Sequence, residues 1–214
     1  MTSATPQRAR SASAKAQRSQ DILAAARALA MSRPVRDITL TDVAAAVGLH
    51  KSAMLRYFET REQIFLALAA EGWREWTAAV RTALPAAGAG PAAVARLLAH
   101  TLASRPLFCD LLAQAPLNLE RNVSLEVVRD YKTSNRAALG PLVDDLRNLL
   151  ALTEQQVIDV ISTATSMAGA LWQMAAPGTT LRTFYETNPD LAHAVVDVEP
   201  RLTRILTALL TGLR

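Results

Sequence analysis

A chain of 214 residues, half hydrophobic and one fifth charged, is long enough for one or two domains with a true core. Alanine and leucine dominate while β-branched runs are scarce, which predicts an all-α fold. The single cysteine, Cys109, excludes an intramolecular disulfide, and no apolar run approaches the ~18 residues that span a bilayer, so a soluble cytoplasmic protein without membrane contact is expected.

Residues 1–18 are rich in Ser, Ala, Gln and Arg with no acid before Asp21. That composition predicts a disordered basic tail, not a signal peptide. Its four cations are suited to lying along a DNA backbone or minor groove, or simply to solvation. From Ser19 to Ser32, Ile22, Leu23, Ala26, Leu29 and Ala30 recur at helical spacing, and Pro34 stops that helix. A second helix opens at Thr39, with Asp42 at capping-box distance and Val43, Ala44 and Val47 on its inner face. Gly48 supplies a turn, and a third helix runs from about His50 to Tyr57. The fourth, about 60–84, carries Ile64, Leu68, Gly72, Trp76 and Val80 on one row, with Phe65, Ala69 and Trp73 beside it.

The segment Pro85–Pro91 reads as a loop, and five further helices are expected at about 91–103, 105–114, 122–149, 153–175 and 189–212. That makes about nine helices in total, with no internal repeat. Two helices as short as the second and third cannot bury enough surface to stand alone. Such a pair persists when it presents one helix to a partner, most often a DNA major groove. The charge agrees, because residues 1–62 hold ten Lys/Arg against five acids and the remainder thirteen against fourteen. A basic head on a near-neutral body suits a polyanion.

The run from Ile22–Ala30 (ILAAARALA), through Thr39–Leu49 (TLTDVAAAVGL), to Tyr57–Phe65 (YFETREQIF) resembles the TetR family of bacterial transcriptional regulators. The likeness covers the first third of the chain; the rest matches only in being helical and of the usual length. It implies a tail at 1–18, a DNA-binding domain at 19–62 and a ligand-binding and dimerisation body at 63–214. It also implies a homodimer on a palindromic operator, most simply a repressor released when a small hydrophobic effector binds the body.

Residue by residue, the resemblance places a phosphate at the N–H groups near Thr39, and gives Thr41 and Lys51 contacts to backbone or base edges. Ser52, Ala53 and Leu55 would set sequence preference, and Tyr57 and Arg61 would meet phosphates. His50 stands where Ser or Thr commonly caps the recognition helix, Ser52 replaces a frequent glycine, and Pro34 replaces a frequent glycine at the end of the first helix. Leu55 replaces a frequent tyrosine, and Arg56 takes a common histidine position where its charge can restore a contact. These departures bear on the operator sequence.

In the body, Trp73, Trp76, Phe108, Met167, Trp172 and Met174 are candidates for a ligand pocket, although such stripes are also ordinary core. Ala164 and Ala168 lie in a run of small residues, and Leu202, Ile205, Leu206 and Leu209 form an apolar stripe, so the last two helices are the expected dimer surface. His50, His100 and His193 are scattered, with no metal-ligand spacing and no cofactor motif, and neither a GxSxG elbow nor paired acids suggest an enzyme. Cys109 is expected to be a buried thiol. The competing reading is a helical small-molecule-binding protein or enzyme on the same fold that no longer binds a specific operator.

Overall fold

The computed structural model describes residues 6–174 and 179–213. Among them are ten α-helices and no strand: α1 Pro6–Ser32, α2 Leu40–Ala46, α3 Lys51–Met54, α4 Arg61–Ala87, α5 Pro91–Ala103, α6 Pro106–Gln114, α7 Leu125–Leu150, α8 Glu154–Met174, α9 Thr180–Thr187 and α10 Val198–Gly212. Short helical turns at Val35–Asp37, Ala115–Leu119, Glu120–Asn122 and Pro189–Ala194 join them.

Four boundaries depart from the sequence expectation. Helix α3, expected from about His50 to Tyr57, stops at Met54, and residues 55–57 form a turn. Residues 6–18, expected to be disordered, continue α1 as helix, while residues 1–5 lie outside the described part. Helix α4 runs through Pro85 and stops at Gly88, whose φ of +87° suits only glycine. The last helix, expected from about 189, begins only at Val198 after an extended Asp197, and an unexpected α9 precedes it, ending where Pro189 holds Asn188 extended. Pro200 is tolerated since it falls in the first turn of α10.

Two apolar clusters divide the molecule. The head cluster gathers Ile22, Leu23 and Ala26 of α1, Val43 and Ala44 of α2, Met54 of α3 and Ile64 to Ala70 of α4, and it reaches Leu111 of α6 and Tyr131 of α7. The body cluster gathers Trp76, Val80 and Leu84 of α4 with α5, α6, α7, α8 and α10. Helix α4 belongs to both, and half-buried Trp73 packs against each. Arg27 of α1 is tied to Glu71 and Glu75 of α4 at 2.5 and 3.5 Å.

Two glycines mark close approaches. A Cβ at Gly72 would lie 2.3 Å from Cδ2 of Phe108, so the α6 ring seats directly on the α4 backbone. A Cβ at Gly169 would lie 2.8 Å from the backbone N of Ala113. The small residues of α8 therefore admit this chain's own α6. That corrects the dimer expectation for Ala164 and Ala168, both fully buried in the body core, and for Leu202 and Leu206, buried in the same core. Ile205 and Leu209 remain half-exposed. No helix among the described residues is long and apolar enough to cross a membrane.

Candidate nucleic-acid interface

The head is built from local capping signals. Thr39 is the N-cap of α2: its hydroxyl accepts from Asp42 N at 3.1 Å, while Asp42 Oδ2 accepts from Thr39 N at 2.8 Å, closing the capping box. The Thr39 backbone N–H, the Thr39 hydroxyl and Arg33, 2.9 Å away, together hold the Asp42 carboxyl below its usual range. Gly48 then turns the chain at φ +66°, a left-handed conformation that other residues rarely adopt.

His50 takes over the capping role that a hydroxyl residue would have. Its Nδ1 accepts from Ser52 N at 3.4 Å and lies 2.9 Å from Ser52 Oγ. At Thr60 the hydroxyl accepts from Gln63 N, but the Gln63 amide reaches back one residue further, to Glu59 N.

Met54, fully buried in the head core, fixes how α3 is rotated. Lys51, Ser52, Leu55 and Arg56 consequently face solvent together, with Ala53 and Tyr57 half-exposed at the edge. Thr41 is exposed on α2. Among the described residues neither Lys51 nor Arg56 makes an ion pair. Leu55 leaves 54% of its surface exposed.

Arg61 does not join this face. Its guanidinium donates to the carbonyls of Ile38 and Val35, pairs with Glu62 at 2.9 Å and stacks 4.7 Å over the Phe65 ring, leaving the side chain 13% exposed. The phosphate contact expected of it is thus replaced by an internal brace between α4 and the turn before α2.

Two residues passed over in the sequence join head to body. Asp110 of α6 is buried; its carboxylate accepts from Val35 N at 2.8 Å and from Gln173 of α8 at 2.7 Å. Glu59, just after the recognition helix, accepts from Ser124 N at 2.7 Å, the N-cap of α7. An acid inside the apolar run LFCDLL was the available signal for Asp110; Glu59 had none.

The body's ligand candidates scatter. Trp76 is core, its Nε1 donating to Thr101 at 3.0 Å, and Phe108 is core on Gly72. Met174 is 51% exposed, Met167 backs the body core, and Trp172 lines a small cleft beside Arg182 and Val196. Of these six, Trp73 alone reaches a groove of about 770 Å³ between α4, α7 and α8. Leu139, Val143, Ile158 and Ile161 make its apolar floor; Lys132 and Arg136 flank one end, and Asp144 and Glu154 the other. Beneath it Trp73 Nε1 donates to Tyr131 Oη at 3.2 Å, and the Asn135 amide oxygen, turned toward the pair, accepts from both. Burial is the main cause that pushes the Tyr131 phenol above its usual range.

The three histidines have separate structural partners: Ser52 for His50, Glu199 for His100 and the Asp190 carbonyl for His193.

Residues 22–68 match the family described as bacterial regulatory proteins, tetR family, and residues 70–214 match the tetracyclin repressor-like C-terminal domain. The chain belongs to the TetR family. The fatty acid degradation regulator FadR from Bacillus halodurans superposes with a TM-score of 0.54 at 15% identity, over 91% of this chain and 99% of that one. FadR from Thermus thermophilus, a TetR-family transcriptional repressor solved in complex with lauroyl-CoA, gives 0.54 at 19% identity, over 88% and 92%. A TetR-family regulator from Mesorhizobium loti MAFF303099 gives 0.52 at 13% identity, over 93% and 96%. At these identities the likeness is one of fold. No curated protein sequence matches significantly. As a TetR-family member the chain is a DNA-binding transcriptional regulator.

Proposed function

We infer that this TetR regulator is a homodimeric repressor that reads a palindromic operator through α3 and is released by an amphipathic effector held in the α4–α7–α8 groove. The observation that carries the reading is the outward face of α3 and of the turn at 55–57 that follows it. Lys51 and Arg56 stand ready for phosphates or guanine edges, Ser52 for a base or phosphate, and Leu55 for a thymine methyl. Lys51 and Arg56, neither of them in an ion pair among the described residues, flank Leu55 and supply the positive charge that a DNA backbone attracts. Ala53, Thr41 and Tyr57 flank this contact, and Thr39 positions it through the cap. The reading head comprises residues 19–62 with the first turns of α4; the body from residue 63 provides dimerisation and the effector site.

The groove supports an elongated effector with an apolar stem. Its walls follow α7 from Lys132 to Asp144, a rise of ~18 Å, over an apolar floor with charge at each end. Lauroyl-CoA, the ligand in the T. thermophilus FadR complex, has that character and is the first compound to test. Two routes lead from the groove to the head. Trp73 is part of α4, whose first turn carries the Arg61 brace; α7 begins at Ser124, held by Glu59 two residues after Tyr57. Movement of either helix would tilt α3. The homodimer would rest on the outward faces of α8 and α10, where Ile205 and Leu209 keep exposed surface.

The test is selection of binding sites from random duplexes with the full chain, followed by titration with lauroyl-CoA. Enrichment of an inverted repeat and its release by micromolar ligand support the reading; sequence-indifferent binding refutes it. Enrichment without release would reject the effector and keep the operator.

A further inference from the structure

We propose that residues 6–20, the N-terminal extension of α1, are a second DNA contact that grips the phosphate backbone flanking the operator. The proposal rests on the DNA-binding reading above and adds a site outside the helix-turn-helix. Helix α1 is 27 residues long, yet its first residue in the head core is Ile22. Before Ile22 the helix has no bulky apolar residue, so nothing in it can anchor to the body, to another protein's apolar groove or to a lipid interior. It carries Arg8, Arg10, Lys15 and Arg18 and no acid before Asp21. Residues 13–18 are all exposed, and the one ion pair in this stretch among the described residues is Arg18 with Asp21 at 3.7 Å.

The direction of the helix matters as much as its charge. Arg27 meets Glu71 and Glu75, toward the body end of α4, and Arg27 and Met31 near the end of α1 share a cleft with Ser104, Arg105 and Pro106 of the body, whereas Ile22 and Leu23 belong to the head cluster. Followed backwards, α1 therefore leaves the head on the side away from the body. Fifteen helical residues reach ~22 Å, about two-thirds of a DNA helical turn of ~34 Å. Helical spacing puts backbone positions 8, 15 and 18 within an arc of ~80°, with position 10 ~80° beyond, so the four positions fall on one half of the helix. A cationic rod of that length, with no apolar face, is matched by a phosphate backbone.

The experiment compares the full chain with the variant R8Q/R10Q/K15Q/R18Q on the selected operator in flanking duplex, across a salt series. Glutamine keeps helix propensity while removing charge. A charge-matched body variant, R74Q/R96Q/R121Q/R129Q, controls for net charge, since all four of its sites are exposed and lie outside α8, α10 and the groove. The slope of log affinity against log salt is expected to flatten in the extension variant by up to ~3.6 per bound subunit, or ~7 for the homodimer, at ~0.9 per phosphate contact. The protected footprint should shorten at its outer edges, with the preferred core sequence unchanged and the body variant behaving as the parent. An unchanged slope and footprint overturn the proposal while the operator reading stands. Equal flattening in the body variant overturns it as well, and absence of DNA binding by the parent chain overturns both.

Discussion

Replacing Arg61 with alanine separates two accounts of this regulator. Family resemblance makes Arg61 a phosphate contact; the structure makes it a brace. Its guanidinium caps the carbonyls of Val35 and Ile38, whose residues are 0% and 1% exposed, and stacks on Phe65. Each hydrogen bond to a charged donor contributes ~1.5–3 kcal/mol, and the stacking adds ~0.5–1 kcal/mol. Allowing for water entering the vacated site, the loss is ~4 kcal/mol, or a fall in Tm of roughly 8–16 °C for a chain of this length. Thermal unfolding by circular dichroism reads that directly. In anisotropy titrations well below the transition, Arg61→Ala should run parallel to the parent in its salt dependence, whereas Lys51→Ala flattens the slope by ~0.9. An Arg61→Ala protein with unchanged Tm and a slope flattened by about 1 would refute the brace and restore the phosphate contact.

Asp110→Ala leaves the buried Val35 N–H without its acceptor and is expected to cost ~2–4 kcal/mol in urea unfolding, while Gln173→Ala, at an exposed position, should cost less than ~1 kcal/mol. Gly72→Ala drives a Cβ into the Phe108 ring and should destabilise by ~1–3 kcal/mol, with Phe108→Leu partly rescuing it. Cys109 is buried, and burial together with the neighbouring Asp110 charge pushes its thiol up to about 12. Because the folded value is raised, its contribution to stability is intact below about 9 and is lost as pH climbs toward 12. Native protein should resist iodoacetamide at pH 8, and full labelling should require denaturant; rapid native labelling would contradict the burial.

The parts of the head legible in sequence are those specified within four residues. The Thr39–Asp42 box, the Gly48 turn and the Thr60 cap are local hydrogen bonds whose spacing is their signature. Arg61 was legible as a cation but not as a brace, since its carbonyl partners lie 23 and 26 residues away and any backbone carbonyl looks alike in sequence. The stripe of α8 and the leucines of α10 showed that something covers them. Only the packing of α6 on Gly169 shows that, for Ala164 and Ala168, the cover is intramolecular. The groove was hidden for the same reason. Of six aromatic and methionine candidates Trp73 alone lines it, and its remaining walls are residues of α7 and α8 whose shared surface depends on how the two helices splay. The short α9 was missed although Leu181, Phe184 and Tyr185 stand at helical spacing, because a run of eight residues that buries no side chain is too short to separate from a loop by its pattern.

The two carboxylate links, Asp110 to Val35 and Glu59 to Ser124, give the head fixed attachments to separate body helices. A head held at two points moves with its body. On the proposed reading α7, which lines the groove and meets Glu59, is one of the two helices that would carry groove occupancy to the head, while α6 only fixes the head to the body.

The central claim is that the exposed face of α3 reads sequence. It is tested most directly by selecting sites with the parent chain and with Leu55→Ala and Arg56→Ala variants, and measuring base preference at each half-site position. The account predicts an inverted repeat with half-site centres about 10 base pairs, or a small multiple, apart. Each substitution should relax preference at one or two defined positions by ~1–3 kcal/mol. Identical preferences for all three proteins, or no enriched repeat, would contradict it.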